Sequence, residues 1–377
     1  MGHIKKVLLI LLIFTLLHGI IGCKQENNSI ENTENLSSTS KEKEIQIVYD
    51  NEGEEAANEI NEQKEEKPGG KGVNSLTGLW IDESIVSRRP VAVVINNIRK
   101  ALPQSGISQA GVIYETLAEG EITRLIALFK DFNAKKIGPL RSARHYFIDF
   151  ALNHDAVFVH HGVSPLAATA IKNLKPANLD SLSHLEKTLS WRDSTRRKQR
   201  GMFEHSLYTN TEKILKTWNT VGYRMNLKES YLPMFVFSEK DWTPIGSEAK
   251  KVTIHFSKVY VPEFYFDNET GLYLRNQFGK PHIDEYNGEQ LSVKNIFILF
   301  TDIWTIKGDD AFRRDMNLIT SGTGKYITNG RAIPITWSRK SNYSPYIFKD
   351  IDGNILEINK GKTWICIFPK NNKIEIR

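Results

Sequence analysis

Lys136-Ile-Gly-Pro-Leu-Arg-Ser-Ala-Arg-His-Tyr-Phe-Ile-Asp-Phe-Ala-Leu-Asn-His-Asp-Ala-Val-Phe-Val-His-His-Gly-Val-Ser-Pro165 decides how the rest of the chain is read. Leu140, Ala143, Phe147, Phe150 and Ala151 recur at helical spacing. This predicts an amphipathic helix opened by Gly138-Pro139, with Arg141 and Arg144 on neighbouring turns. Asn153-His154-Asp155 ends it, residues 156–160 form a short apolar strand, and Ser164-Pro165 caps and opens a second helix. Helix, strand, turn and helix in this order make an α/β unit. Such a unit holds ligands just beyond the carboxyl end of its strand, which places His160, His161 and the Ser164 helix start in a crevice.

Outward from this unit, residues 90–95, 112–117 and 122–129 are apolar runs that suit strands covered on both faces, the first ending in Asn96-Asn97. Residues 176–202 form a long polar connection with a basic cluster at Arg196, Arg197, Lys198 and Arg200. Thr209 and Glu212 have capping-box spacing and Gly222 is a helix stop. From about residue 250 the texture turns to short β runs, with Asn329-Gly330 the strongest hairpin signal. The expected architecture is an N-terminal mixed α/β domain over residues 73–240, followed by a smaller, mainly β domain over residues 241–377, a small barrel or sandwich. The shift near residue 240 predicts that a cut there leaves at least one piece able to fold alone.

The first 72 residues read differently. Lys5-Lys6 and the apolar run at residues 7–17 make a secretory signal too short to span a bilayer. Ile20-Ile21-Gly22-Cys23 then resembles the bacterial lipoprotein signal, which implies cleavage before Cys23 and a lipid on its thiol. Residues 1–23 are thus the signal, and residues 24–72 an acidic disordered tether reaching roughly 40 Å. The tether carries 13 acidic and 6 basic side chains, against 31 acidic and 42 basic in residues 73–377. The basic body favours anionic partners, and the expected ones are the membrane through Cys23 and an anionic envelope polymer or cell-wall protein. The export signal argues against nucleic acid. Cys366, the other cysteine, sits in an apolar run and has no partner for an internal disulfide.

Islands in fixed order, among them Arg89-Pro-Val-Ala-Val93, Asn96-Asn97, Pro103-Gln-Ser-Gly106, Arg141-Ser-Ala-Arg144, Ile333-Pro-Ile-Thr-Trp337 and Gly361-Lys-Thr-Trp364, resemble the YerB-like bacterial lipoproteins over residues 75–370. The resemblance implies an extracytoplasmic, lipid-anchored chain with an α/β and then a β domain, and no established reaction.

For chemistry, Asn96, Asn97, His160, His161 and Ser164 read as a polar crevice in which Arg141 or Arg144 grips a carboxylate or phosphate. The competing reading pairs these arginines with Glu115, Glu119 and Asp149 inside the domain. Adjacent histidines on a strand face opposite ways, no ligand spacing accompanies them, and neither a metal nor a cofactor is expected. Ser142 and Ser164 lie outside any Gly-x-Ser-x-Gly elbow, and Ser321-Gly-Thr-Gly-Lys325 lacks phosphate-loop spacing and reads as a hairpin turn. Trp304, Trp337, Tyr343, Tyr346 and Trp364 read as core more than as stacking platforms. A binding or regulatory module acting on envelope components is therefore preferred. The alternative is an envelope hydrolase built on Asn96, His160 and Arg141.

Overall fold

Alternate residues of the apolar strands supply two hydrophobic layers, one on each face of a single large sheet. The computed structural model describes residues 68–377, and Cys23 and most of the expected tether lie outside them, but the end of that expected tether is ordered, with Lys71–Val73 pairing antiparallel with Trp80–Asp82. In chain order the main elements are β1 (Val91–Asn96), β2 (Val112–Leu117), β3 (Thr123–Phe129), α1 (His145–Asn153), β4 (Val157–His160), α2 (Pro165–Leu174) and β5 (Asn178–Asp180). Three helices follow: α3 (Glu186–Leu189), α4 (Ser194–Lys198) and α5 (Thr211–Val221). The later strands are β6 (Ser247–Glu248), β7 (Lys251–Ile254), β8 (Glu263–Asp267), β9 (Leu272–Gln277), β10 (Asn295–Thr301), β11 (Ser321–Thr328), β12 (Arg331–Ser338), β13 (Ile347–Lys349), β14 (Thr363–Pro369) and β15 (Ile374–Ile376).

The main sheet has eleven strands in the order β6-β12-β11-β10-β14-β2-β3-β1-β4-β5, with β13 beside β12. β14 lies parallel to both β10 and β2, so a strand from near the end of the chain joins the N-terminal strands to the C-terminal ones. On one face, Ala92 and Val94 of β1 pack with Phe147, Phe150 and Ala151 of α1. On the other face, Val91, Val93 and Ile95 share a core with Ile214 and Trp218 of α5. Behind the C-terminal strands that second face is covered by a six-stranded sheet containing β9, β8, β7 and β15. Phe264 meets Trp364 at 5.7 Å and Phe256 meets Phe368 at 5.4 Å across the gap.

The N-terminal half is mixed α/β and the C-terminal half mainly β, as the sequence indicates. The C-terminal strands close no barrel of their own, however: β10, β11, β12 and β14 extend the N-terminal sheet, and the smaller sheet stacks behind it. The backbone hydrogen bonds between β2 and β14 cross the expected boundary, so a cut near residue 240 would leave β2 with an open edge.

Three local expectations are corrected. The helix begins at His145, because Gly138, Leu140 and Arg141 give their amide hydrogens to Ser105 O, Leu207 O and Val94 O in an extended strap. Gly138 has φ 142°, outside the helical region and in a conformation that glycine adopts readily. Arg141 therefore lies outside the helix and Arg144 is its N-cap. Thr209 is not a cap: it bridges Ile137, and Asn210 caps α5 by accepting from Lys213 N at 2.8 Å. Residues 321–325 lie inside β11, where a side chain at Gly322 would come within 2.9 Å of the Trp337 ring. The Asn329-Gly330 hairpin is as read, with φ of 47° and 71°.

Candidate functional site

β1, β2, β4, β5, β10 and β14 all run in one direction, so their carboxyl ends share one edge of the sheet. The predicted crevice residues lie along this edge and separate into four groups. His160 and Ser164 serve the fold. His160 is fully buried, its Nδ1 lies 2.9 Å from Gly162 O and its Nε2 2.6 Å from Asn178 Oδ1, and burial lowers its pKa. Ser164 Oγ caps α2 by accepting from Ala167 N.

Arg144 belongs to a buried cluster. Its Nε and Nη2 donate to Glu119 Oε2 at 3.0 and 2.6 Å, while Arg124 Nη2 holds Glu119 Oε1 at 2.5 Å. Burial first, and the neighbouring Arg144 and Arg141, bring Arg124 down to about 10, against the opposing pull of Glu119. This is the internal pairing weighed from the sequence, realised with Glu119. Asp149 pairs instead with Arg339.

Arg141 and His161 face outward. Arg141 Nη2 donates to Glu204 Oε2 at 2.6 Å, and that carboxylate is 65% exposed. His161 is half-buried with Nδ1 2.8 Å from Ser181 Oγ. Burial, then Arg192, lowers the His161 pKa; burial, then Arg141, lowers that of His205. His205 Nδ1 meets Asn96 Nδ2 at 2.9 Å, which ties β1 to the segment covering the edge. Arg192 stacks over Phe203 at 3.9 Å and donates to its carbonyl oxygen. Lys100 and Arg197 are exposed around them, and Glu186, Glu204 and Asp180 are the facing carboxylates. Arg196 of the basic cluster is instead buried, holding Ala101 O and Pro103 O at 3.1 and 2.6 Å.

Asn97 leads to residues that the sequence reading did not single out as a site. Arg275 Nη2 donates to Glu115 Oε2 at 2.9 Å, and Arg275 Nη1 donates to His282 Nδ1. An arginine cannot accept, so His282 must accept at Nδ1 and carry its hydrogen on Nε2, which reaches Gln104 Oε1 at 2.6 Å. Gln104 Nε2 donates to Asn97 Oδ1 at 3.0 Å, and Asn97 Nδ2 donates to Glu115 Oε1 at 3.1 Å, closing a ring of five side chains. All five are buried, and burial followed by Arg275 keeps His282 neutral. Trp364 Nε1 and Thr123 Oγ1 complete the Glu115 carboxylate. The available signal was a carboxylate inside the apolar run Val112-Ile-Tyr-Glu-Thr-Leu117 and a cation inside Leu272-Tyr-Leu-Arg275.

Cys366 is fully buried and its thiol is pushed up by burial, which suits a packed apolar group. Trp337, Tyr346 and Trp364 are core, whereas Trp304 and Tyr343 are exposed. No group of three or more His, Cys, Asp or Glu side chains able to hold a metal occurs among the described residues.

With this geometry in view, comparison with known proteins places the chain. Residues 76–224 match the N-terminal domain of the DUF3048 proteins of unknown function, and residues 252–365 match the C-terminal domain of the same family. The chain belongs to the DUF3048 family. A relative in Bacillus subtilis (strain 168), named "Putative lipoprotein YerB", is 35% identical over 299 residues, 78% of this chain and 85% of that protein. A crystal structure of the YerB protein from Bacillus subtilis matches with a TM-score of 0.71 and 32% identity, covering 81% of this chain and all of that one. The YerB-like, two-domain organisation read from the sequence islands is therefore that of the chain.

Proposed function

We propose that this DUF3048 protein is a lipid-anchored extracytoplasmic module that binds an anionic component of the cell envelope through the Arg141 face. The observation that carries this reading is the difference between the two arginines of the Arg141-Ser-Ala-Arg144 island. Arg144 is enclosed with Glu119, whereas Arg141 holds only an exposed carboxylate that an incoming phosphate or carboxylate can replace at little desolvation cost. Arg192, Lys100 and Arg197 add positive charge around it, which raises the local concentration of a polyanion. The net positive balance of residues 73–377 supports the same reading.

A hydrolase built on Asn96, His160 and Arg141 has less support. Both ring nitrogens of His160 have partners, and Asn96 is spent on His205 and on Gln104 through its carbonyl oxygen. The test is titration with a soluble polyglycerol phosphate. Binding should weaken as salt rises and be lost in the Arg141→Ala/Arg192→Ala double variant, and salt-independent binding or full retention by that variant would overturn the proposal.

A further inference from the structure

The five-membered ring ends at a cavity. Gln277, on β9, accepts from Arg275 Nη2 through Oε1 at 2.7 Å, which turns its Nε2 the other way. That Nε2 is buried and has no hydrogen-bond partner, and Gln277 lines a cavity of about 470 Å³. A buried donor left unmade is costly, so an unpartnered amide on a residue that lines a cavity calls for an acceptor there. Leu102, Phe278 and Ile283 supply apolar walls. Arg99 and Lys280 supply two cations, and no carboxylate lines the space. Arg99 stacks over the Phe278 ring at 4.6 Å, and neither cation forms an ion pair with a described carboxylate. A mainly apolar concavity with one convergent donor and two unopposed cations has the build of a small-molecule site.

We infer that this cavity binds a small carboxylate with an apolar body, such as an acylated amino acid or the C-terminal residue of a short peptide. The carboxylate takes the Gln277 Nε2 hydrogen and lies between Arg99 and Lys280, and the apolar part fills the space against Leu102, Phe278 and Ile283. The walls come from the segment after β1 and from the β9 turn, so an occupant contacts both halves of the chain. His282 lines the cavity as well, and its neighbour in the ring is Gln104. The site is separate from the Arg141 face, and its failure would leave the polyanion proposal standing.

Calorimetric titration of the full chain with N-acetyl-leucine, and in parallel with N-acetyl-leucinamide, tests the inference. The acid should bind saturably and the amide about tenfold or more weakly, since the amide has lost the charge-assisted contact. Lys280→Ala, an exposed change that leaves the fold intact, should weaken the acid about tenfold and leave the amide unaffected. Gln277→Glu keeps an acceptor for Arg275 and replaces the free donor with a carboxylate oxygen, and it should abolish acid binding. Absence of saturable acid binding, equal binding of acid and amide, or unchanged affinity in Lys280→Ala would each overturn the inference.

Discussion

Arg275 lies 2.9 Å from Glu115, and the two come from opposite halves of the chain and meet where neither touches water. Glu115 projects from β2 on the face that packs against the smaller sheet, and Arg275 projects from β9 of that sheet toward it. The guanidinium also lies 4.4 Å from the Trp364 ring centre, on the strand that parallels β2. Taking both charges out of water is expensive, and the ring through His282, Gln104 and Asn97 offsets part of the cost, although Arg275 Nε is left without a partner. Removing one partner strands the other. Glu115→Gln and Arg275→Met should each destabilise the protein by about 3–5 kcal/mol, and the double variant should lose less than their sum. Denaturant unfolding of the four proteins measures the coupling, and strictly additive losses would show that the pair does not act as a unit.

The same contact bears on how the chain divides. Asp284 adds a second tie, accepting from Gly106 N and Ser108 N at 2.7 Å each while itself buried. With β14 hydrogen-bonded to β2, the pieces 73–240 and 251–377 each expose a strand edge and part of a shared core. The intact chain should therefore melt in one transition and neither piece should melt cooperatively alone. Calorimetry of the separate pieces decides it, and a sharp transition in either would restore the modular reading drawn from composition.

Acid should destabilise the body below about pH 6.5. Burial brings His154 down to about 3 and lowers His160 and His282, so these rings stay neutral in the fold while the unfolded chain takes up protons. The unfolded state then binds more protons than the native state, and stability falls as pH falls from the unfolded histidine value toward the folded one. Each such histidine contributes about 1.4 kcal/mol per pH unit within that window. Urea unfolding between pH 7 and pH 5 measures the slope, and His154→Gln should reduce it by about one proton. A flat profile would mean that the rings protonate inside the fold.

The proposed membrane attachment is through Cys23, which lies outside the described residues. Cys23→Ala should move the protein out of the membrane fraction, and mass spectrometry of the wild type should find an acylated N-terminal cysteine. An unmodified wild type would remove the anchor from the account.

Strands covered on both faces were legible because unbroken apolar runs such as Val91–Asn96 and Val112–Leu117 have few alternatives at that length. The α2 start was legible because Ser164-Pro165 fixes it locally. What escaped the sequence depended on partners far along the chain. The apolar spacing around Leu140 mimics a helix, yet the Leu207 and Val94 carbonyl oxygens draw residues 138–141 into an extended strap. The boundary near residue 240 is a real change of texture, but pairing of β14 with β2 cannot be read from either strand alone. Asn96 and Asn97, read from the sequence as candidate crevice residues, lie at the carboxyl end of β1. Their partners His205 and Gln104 show one supporting the covering segment and the other closing the ring with Arg275 and His282.

Parallel melting and polyglycerol phosphate binding of Arg141→Lys and Arg144→Lys tests the central claim most directly. Lysine cannot reproduce the paired contacts of a guanidinium, so each variant loses what its arginine does. Arg144→Lys should lower the melting temperature, because Glu119 loses a double donor in a nearly closed site, and its folded fraction should bind the polymer as the wild type does. Arg141→Lys should melt with the wild type and bind several-fold more weakly. A lowered melting temperature with intact affinity for Arg141→Lys would contradict the account and make the Arg141 face a structural feature.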